Sequence, residues 1–251
     1  MRADEKNDSE PALRLGAVLD ETLAEGPGLR FAVWVQGCSL RCPGCCNPHL
    51  FDTRRERTAA RDDRLGVSNE DAQLLSVGAL LERLSRAQQG FAVLGRRSFE
   101  CQSLEHQASH RLEGVTLLGG EPFEQAEALS LFARGAHALG LSVMTFSGYT
   151  LEELRAPSAP ACSAALLAET DLLVDGRYDQ RQPERARRWA GSQNQRFHFL
   201  TSRYAPGLEL IAHGEVAQTV EVRIGGDGRA LVSGWPEQLA LGRRTNATRA
   251  R

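Results

Sequence analysis

The chain has 251 residues, 41% hydrophobic and 25% charged, enough to bury the core of one sizeable domain with a small appendage. Its formal charge of −2 gives no electrostatic case for nucleic acid or an anionic membrane as a partner. No apolar stretch approaches the roughly 20 residues of a membrane helix and no apolar signal segment is present, so a soluble, cytoplasmic protein is expected.

In chain order, residues 1–10 are polar and charged and are expected to form a disordered tail. A single domain is expected over 11–203. Its first β-prone run, Phe31 to Val35, leads directly into a cysteine-rich loop. Residues 52–71, rich in Arg, Asp and Glu, are expected to be a surface insertion. Leu74, Leu75, Val77, Leu80, Leu81 and Leu84 then recur as one face of a helix. A second polar insertion, near 95–111, contains Cys101. Further strands are expected at Val115 to Leu118, Leu141 to Phe146 and Leu172 to Val174, with a shorter one at Phe197 to Leu200. Between them runs a helix from Phe123 to about Leu139, with Ala126, Leu129, Phe132 and Ala133 facing inward. Residues 204–241 read as an extension carrying a β-hairpin, Val220 to Ile224 and Arg229 to Ser233, around a Gly-Gly-Asp-Gly turn; 242–251 is a second polar tail.

Strands alternating with helices imply βαβ units and a parallel sheet. In such sheets ligands bind at the carboxyl ends of the strands. There this sequence places the cysteines, then Gly119-Gly120-Glu121-Pro122, then Ser147-Gly148-Tyr149-Thr150, then Asp175-Gly176.

Cys38, Cys42 and Cys45 form a C-x3-C-x2-C cluster, so half of the six cysteines fall within eight residues. Three thiolates on such a loop can wrap an iron-sulfur cube while leaving one iron without a protein ligand. A buried helical face of cysteines is disfavoured because Gly37, Pro43 and Gly44 interrupt any helix. Disulfides lack an oxidising context. Structural zinc wants four ligands, and only Cys46 and His49 stand nearby as a fourth. Gly119 and Gly120 would let a ligand approach the backbone, and Glu121 offers a carboxylate suited to an ammonium group. The same string also reads as a plain turn with Pro122 opening a helix. Cys101 and Cys162 are isolated, so one cluster is expected.

The cysteine spacing and the order of these motifs resemble the radical S-adenosylmethionine superfamily, in particular its small activating enzymes for glycyl-radical proteins. The resemblance runs through Gly26-Pro-Gly-Leu-Arg30, Gln36 to Asn47, Leu118 to Pro122, Phe146 to Thr150, Asp171 to Gly176 and Gly191-Ser-Gln-Asn-Gln-Arg196. It implies a partial (β/α)6 radical-SAM barrel, open on one side, with a short C-terminal β-hairpin extension. Cys38, Cys42 and Cys45 would hold three irons of one 4Fe-4S cluster, and S-adenosylmethionine would chelate the fourth. Gly119, Gly120 and Glu121 would meet its ammonium, Gly44, Cys45 and Cys46 would lie against the nucleoside, and Ser147 and Asp175 would offer polar contacts. No side chain is catalytic beyond the cluster ligands. The implied partner is a glycyl-radical protein, with anaerobic ribonucleotide reductase foremost, and the implied electron donor is of flavodoxin or ferredoxin type. Cys46 departs from the family, which commonly has a ring-bearing residue there. Two alternatives stay open: a radical S-adenosylmethionine enzyme acting on another peptide, protein or small molecule, and a non-catalytic iron-sulfur or zinc binding protein.

Overall fold

The structure, a computed structural model, describes residues 11–53, 73–94, 111–210, 220–224 and 230–234. The tails expected at 1–10 and 242–251, nearly all of the two insertions, and the hairpin's glycine turn lie outside the described residues.

Seven strands form one sheet: β1 (Ala12–Thr22), β2 (Arg30–Val35), β3 (Gln73–Ser76), β4 (Gly114–Gly119), β5 (Ser142–Phe146), β6 (Leu172–Asp175) and β7 (Arg196–Phe199), in the order β3-β1-β2-β4-β5-β6-β7. Strands β2, β4, β5 and β6 run parallel. β1 runs antiparallel to both β2 and β3, and β7 antiparallel to β6. The fold is therefore mixed α/β with a largely parallel core. The expectation of six βα units is too regular for the described residues. The link 23–29 between β1 and β2 is short and carries no helix, and neither does 176–195 between β6 and β7, so each strand returns antiparallel to its neighbour.

All six residues of β2, Arg-Phe-Ala-Val-Trp-Val, are buried, as suits a strand covered on both faces. Alternate side chains part to the two sides. Phe31, Val33 and Val35, with Val115 and Leu117 of β4, pack under helices α1 (Val77–Leu94) and α2 (Ala126–Ala138) through Leu80, Leu84, Leu129, Phe132 and Ala133. The rings of Phe31 and Phe132 sit 6.2 Å apart. Ala32 and Trp34 face the other way and join Leu19, Leu50 and Leu118 in a smaller cluster. Two short helices follow β5: α3 (Leu151–Arg155), started by a capping box between Thr150 and Glu153, and α4 (Ser163–Ala168). Among the described residues no helix is long and apolar enough to cross a membrane.

Two sequence expectations shift. Leu74 and Leu75 belong to the edge strand β3 rather than to the helix, which begins at Val77, and Leu74 is 70% exposed. The segment from Phe123 opens as a 3-10 turn, Pro122–Gln125, before α2 proper. The C-terminal hairpin is present as β8 (Val220–Ile224) paired antiparallel with β9 (Ala230–Gly234).

At the amino end of β2, opposite the cysteines, the side chain of Arg30 is fully buried. Its guanidinium donates to Thr116 Oγ1 (3.0 Å), Ser142 Oγ (2.6 Å), Tyr204 Oη (2.9 Å) and the carbonyl of Val115. Tyr204 in turn donates to Glu113 Oε1 at 2.8 Å. Burial lowers the Arg30 pKa, while Tyr204 and Glu113 oppose that shift. This knot ties β2, β4 and β5 to the segment after β7.

Candidate metal centre

The cysteine loop leaves the sheet at Gln36 and is strapped at its base by the returning chain. Gly37 N donates to Leu50 O (2.8 Å) and Cys38 N to Phe51 O (3.0 Å), while the Gln36 amide side chain reaches Asp52 O at 2.6 Å. The buried Leu50 holds this strap against Trp34 and Leu118. Ser39 donates through both its amide (2.8 Å) and its hydroxyl (2.5 Å) to Glu124 Oε1, fastening the loop to the turn after β4. Inside the loop Cys45 N donates to Cys42 O at 3.2 Å, and Asn47 N to Cys45 Sγ at 3.4 Å. Left-handed backbone at Arg41 (φ 44°) and Gly44 (φ 75°) makes the tight turns around Cys42.

Burial pushes the Cys38 and Cys42 thiols up, against the amides of Arg41 and Leu40 at Cys38 and of Tyr178 at Cys42, which favour thiolate. Cys45 and Cys46 share a hydrogen bond that lowers the first thiol and raises the second. Cys45 is thus the readier thiolate of the pair, and thiolate is the ligating form.

The Gly119-Gly120-Glu121 turn is locked to this loop by main-chain contact. Gly120 N donates to Val35 O and Glu121 N to Gly37 O, both at 2.8 Å. A Cβ on Gly120 would run into the Gly37 carbonyl, 2.8 Å from its carbon, and one on Gly119 (φ 107°) would sit 2.7 Å from Trp34 Cα and Val35 N. The paired glycines therefore admit the cysteine strand itself. Glu121 is 1% exposed, and its carboxylate accepts from Phe123 N (3.0 Å), Ser147 Oγ (2.9 Å) and Gly148 N (2.8 Å). It ties together the ends of β4 and β5, and burial pushes its pKa up to about 7 against those three donors.

One cavity gathers Cys38, Cys42, Cys45, Cys46, Gly119, Gly120, Glu121 and Ser147. Gly44 and Asp175 are not among its lining residues. The Cβ face of Gly44 meets the Gln180 side chain. Asp175 is fully buried and takes Leu151 N (2.6 Å) and the Arg196 guanidinium (2.8 and 3.1 Å), with His198 Nε2 2.9 Å away. It joins the start of α3 and β7 to the end of β6. Gln195 lines the cavity while its side chain accepts from Gly191 N (2.7 Å) and Ser192 N (3.2 Å). Asn194 donates to Arg177 O at 2.7 Å.

The cavity also includes Glu25, Tyr178, Trp189, Ser233 and Gly234, none of which sequence reasoning singled out. Trp189 offers one local signal, left-handed backbone at φ 59°, visible only once the chain is folded. Glu25 carries a pKa pushed up to about 7, mainly by burial. For Glu25 and Glu121 alike the folded value lies above the ordinary 4.5, so the folded state holds the proton more tightly. Their stabilisation is full below 4.5 and lost as pH rises through about 7. The urea midpoint of the cluster-free protein is accordingly expected to fall between about pH 5.5 and 7.5, less steeply in Glu25→Gln; parallel slopes in the two proteins would contradict the assignment to Glu25.

Among the described residues, no three His, Cys, Asp or Glu side chains gather tightly enough to hold a single metal ion. The donor set fits a larger group: three thiols on one pinned loop, facing a shared cavity with main-chain amides against their sulfurs. A family profile described as a 4Fe-4S single cluster domain matches residues 24–198, from before the cysteine strand to β7. The anaerobic ribonucleoside-triphosphate reductase-activating protein of Salmonella typhi is 25% identical over 184 residues, 71% of this chain and 93% of that one. Its namesake from Enterobacteria phage T4 is 23% identical over 175 residues, 68% and 84% of the two chains. The benzylsuccinate synthase activating enzyme of Thauera aromatica is 28% identical over 167 residues, 53% and 50% of the two chains. The chain belongs to the 4Fe-4S single cluster domain family, as an enzyme of the radical S-adenosylmethionine activase type.

Proposed function

We propose that this enzyme installs a glycyl radical on a partner protein, using S-adenosylmethionine at its cluster, and that the partner is an anaerobic ribonucleotide reductase. The observation that carries the reading is the convergence of the three thiols, the Gly-Gly-Glu turn and Ser147 on one cavity at the carboxyl ends of β2, β4 and β5. The relatives' names support the class of partner. In this reading the seven-stranded sheet is a reduced form of the partial (β/α)6 barrel, 11–203 is the catalytic domain and 204–241 its extension.

Cys38, Cys42 and Cys45 would hold the cluster, leaving one iron for the amino and carboxylate groups of S-adenosylmethionine. When bound, the pair supplies one-electron cleavage of the sulfonium to methionine and a 5'-deoxyadenosyl radical that takes a hydrogen from the glycine Cα. The electron would come from a flavodoxin- or ferredoxin-type donor. The chain's residues position and shield. Glu121 spends its carboxylate on Ser147, Gly148 and Phe123, which leaves the main chain of its turn to meet the ammonium. Apolar walls at Trp34, Leu40, Leu50, Phe51, Leu118 and Phe146 keep the cavity dry where a primary carbon radical would attack water or a stray side chain. No acid or base is required for the hydrogen transfer.

The test is anaerobic reconstitution with iron and sulfide, followed by dithionite and S-adenosylmethionine. Wild type is expected to form 5'-deoxyadenosine, and a variant with Cys38, Cys42 and Cys45 all replaced by alanine to form none. Equal yields from the two would end the enzymatic reading. With the reductase added, a glycine-centred doublet in electron paramagnetic resonance identifies the partner. Deoxyadenosine without that doublet on any glycyl-radical protein would transfer the chemistry to another peptide, protein or small molecule.

A further inference from the structure

The thiols and the Gly-Gly-Glu turn stand after β2 and β4, and the same cavity continues past β5 and β6, where Phe146, Gly176, Trp189, Gly191 and Gln195 line it. Trp189 holds left-handed backbone, φ 59°, which a bulky side chain keeps only where the surrounding chain imposes it. The imposing contacts flank it on both sides. Arg188 N donates to Glu209 O at 2.8 Å and Glu184 N to Gly191 O at 3.1 Å. The Gln195 side chain accepts from Gly191 N (2.7 Å) and Ser192 N (3.2 Å) and donates to Gly176 O (3.1 Å), which fastens the turn after Trp189 to the end of β6. The indole packs against the cluster of Met144, Leu172 and Val174, yet it is only partly buried and lines the cavity as well. Trp34, which lines the same cavity, is 8% exposed and belongs to the cluster of Leu50 and Leu118.

We propose that Trp189 is the platform on which the purine of S-adenosylmethionine stacks, and that Gln195 is the positioning residue that holds the platform in place. The ligand's identity rests on the proposed function, and its orientation follows from the order of the strands. With the sulfonium amino acid held after β2 and β4, the nucleoside extends either toward β1 or toward β5 and β6, which follow β4 in the sheet. Toward β1 the cavity is lined by Ala17, Leu19, Ala24 and Glu25, which offer no aromatic face. Toward β6 it offers the indole. A purine presents two flat faces to such a ring, and a ring already fixed by its neighbours loses little freedom when the base arrives.

The experiment is equilibrium dialysis of the full-length reconstituted protein against S-adenosylmethionine and against S-methylmethionine, a sulfonium amino acid without the nucleoside. Wild type is compared with Trp189→Phe, Trp189→Leu, Gln195→Ala and the Trp189→Leu/Gln195→Ala pair. Trp189→Leu and Gln195→Ala are each expected to weaken S-adenosylmethionine about tenfold and to leave S-methylmethionine within about twofold of wild type. Trp189→Phe, which keeps a ring, is expected to stay within about threefold for both ligands. The pair should lose no more than Trp189→Leu alone, since a clamp without its ring has nothing left to position. Unchanged S-adenosylmethionine affinity in Trp189→Leu overturns the platform, and so does equal weakening of both ligands. If Trp189→Leu does not fold, a loss in Trp189→Phe as large as in Gln195→Ala overturns it instead. Additive losses in the pair remove Gln195 from its role. S-adenosylmethionine binding that ignores the ring, with weaker capture of the reductase, would give Trp189 to the partner polypeptide and likewise end the platform. Wild type that binds no S-adenosylmethionine ends the proposed function itself, whereas wild-type binding indifferent to Trp189 ends the platform alone.

Discussion

Gly120→Ala is expected to cost about 3 kcal/mol or more in stability and to leave the purified protein nearly free of iron. The added methyl would meet the carbonyl carbon of Gly37 at 2.8 Å and its nitrogen at 3.0 Å, both main-chain atoms with no rotamer to change. Relief requires β2 and β4 to part where Val35 pairs with Gly119, breaking the two 2.8 Å bonds from Gly120 and Glu121. Cys38 is the next residue, so the clash moves the first of the proposed ligands. Gly140→Ala makes a sharp comparison. It carries a positive φ of 80°, a strain that Gly120 does not have, but has nothing within 4 Å, and its cost is expected to stay near 1 kcal/mol with full iron content. Urea denaturation and iron analysis of the two variants measure the difference. Equal stabilities would mean that the Gly37 contact exerts no force on the fold.

Arg30→Met is expected to destabilise by about 3–5 kcal/mol, through the scaffold alone. Methionine fills much of the volume but takes away the one donor that the buried Thr116 and Ser142 hydroxyls, the Tyr204 hydroxyl and the Val115 carbonyl share. Arg30→Lys is expected to recover less than half of that loss. One ammonium cannot span partners on β4, β5 and Tyr204 that the planar guanidinium reaches together. Because the knot lies at the opposite end of β2 from Cys38, the iron bound per folded molecule should match wild type at low temperature. Loss of iron out of proportion to unfolding would show that the knot shapes the site directly.

Much of this molecule was readable in residue order, for reasons that particular elements make plain. Strands β2, β4, β5 and β6 are short apolar runs with chemistry-bearing residues directly after them, so both the parallel core and the edge that carries the site follow from sequence. β1 escaped because Ala, Gly, Arg, Asp and Glu interrupt it, and bulges between Leu15 and Ala17 and between Leu19 and Thr22 break its alternation. β3 was absorbed into the following helix because Leu74 and Leu75 fit the helical period as well as the strand. The three proposed ligands, Cys38, Cys42 and Cys45, announced themselves by spacing. Arg30 did not, since an arginine before an apolar run reads as a solvated end, and only folding shows its partners, Thr116, Ser142, Tyr204 and Val115, between 85 and 174 residues away. Glu121 was found for its charge, but its occupation by Ser147, Gly148 and Phe123 is a fact of tertiary geometry. Glu25, Ser233 and Gly234, which also line the cavity, have no local signature whatever.

Strand β2 is held at both ends, by the arginine knot below and by the interlock with the Gly-Gly-Glu turn above, and every residue between is buried. The base of the cysteine loop is thus continuous with the buried sheet, and is expected to stay formed without its metal rather than to order around it. Many small metal domains gather their ligands only as the ion binds, so that damage to the metal is also unfolding. Here the frame is expected to outlast its contents. Oxygen that strips the iron would leave a formed receptacle, and repair becomes refilling, with no change in helix or strand content as the cluster is lost and restored.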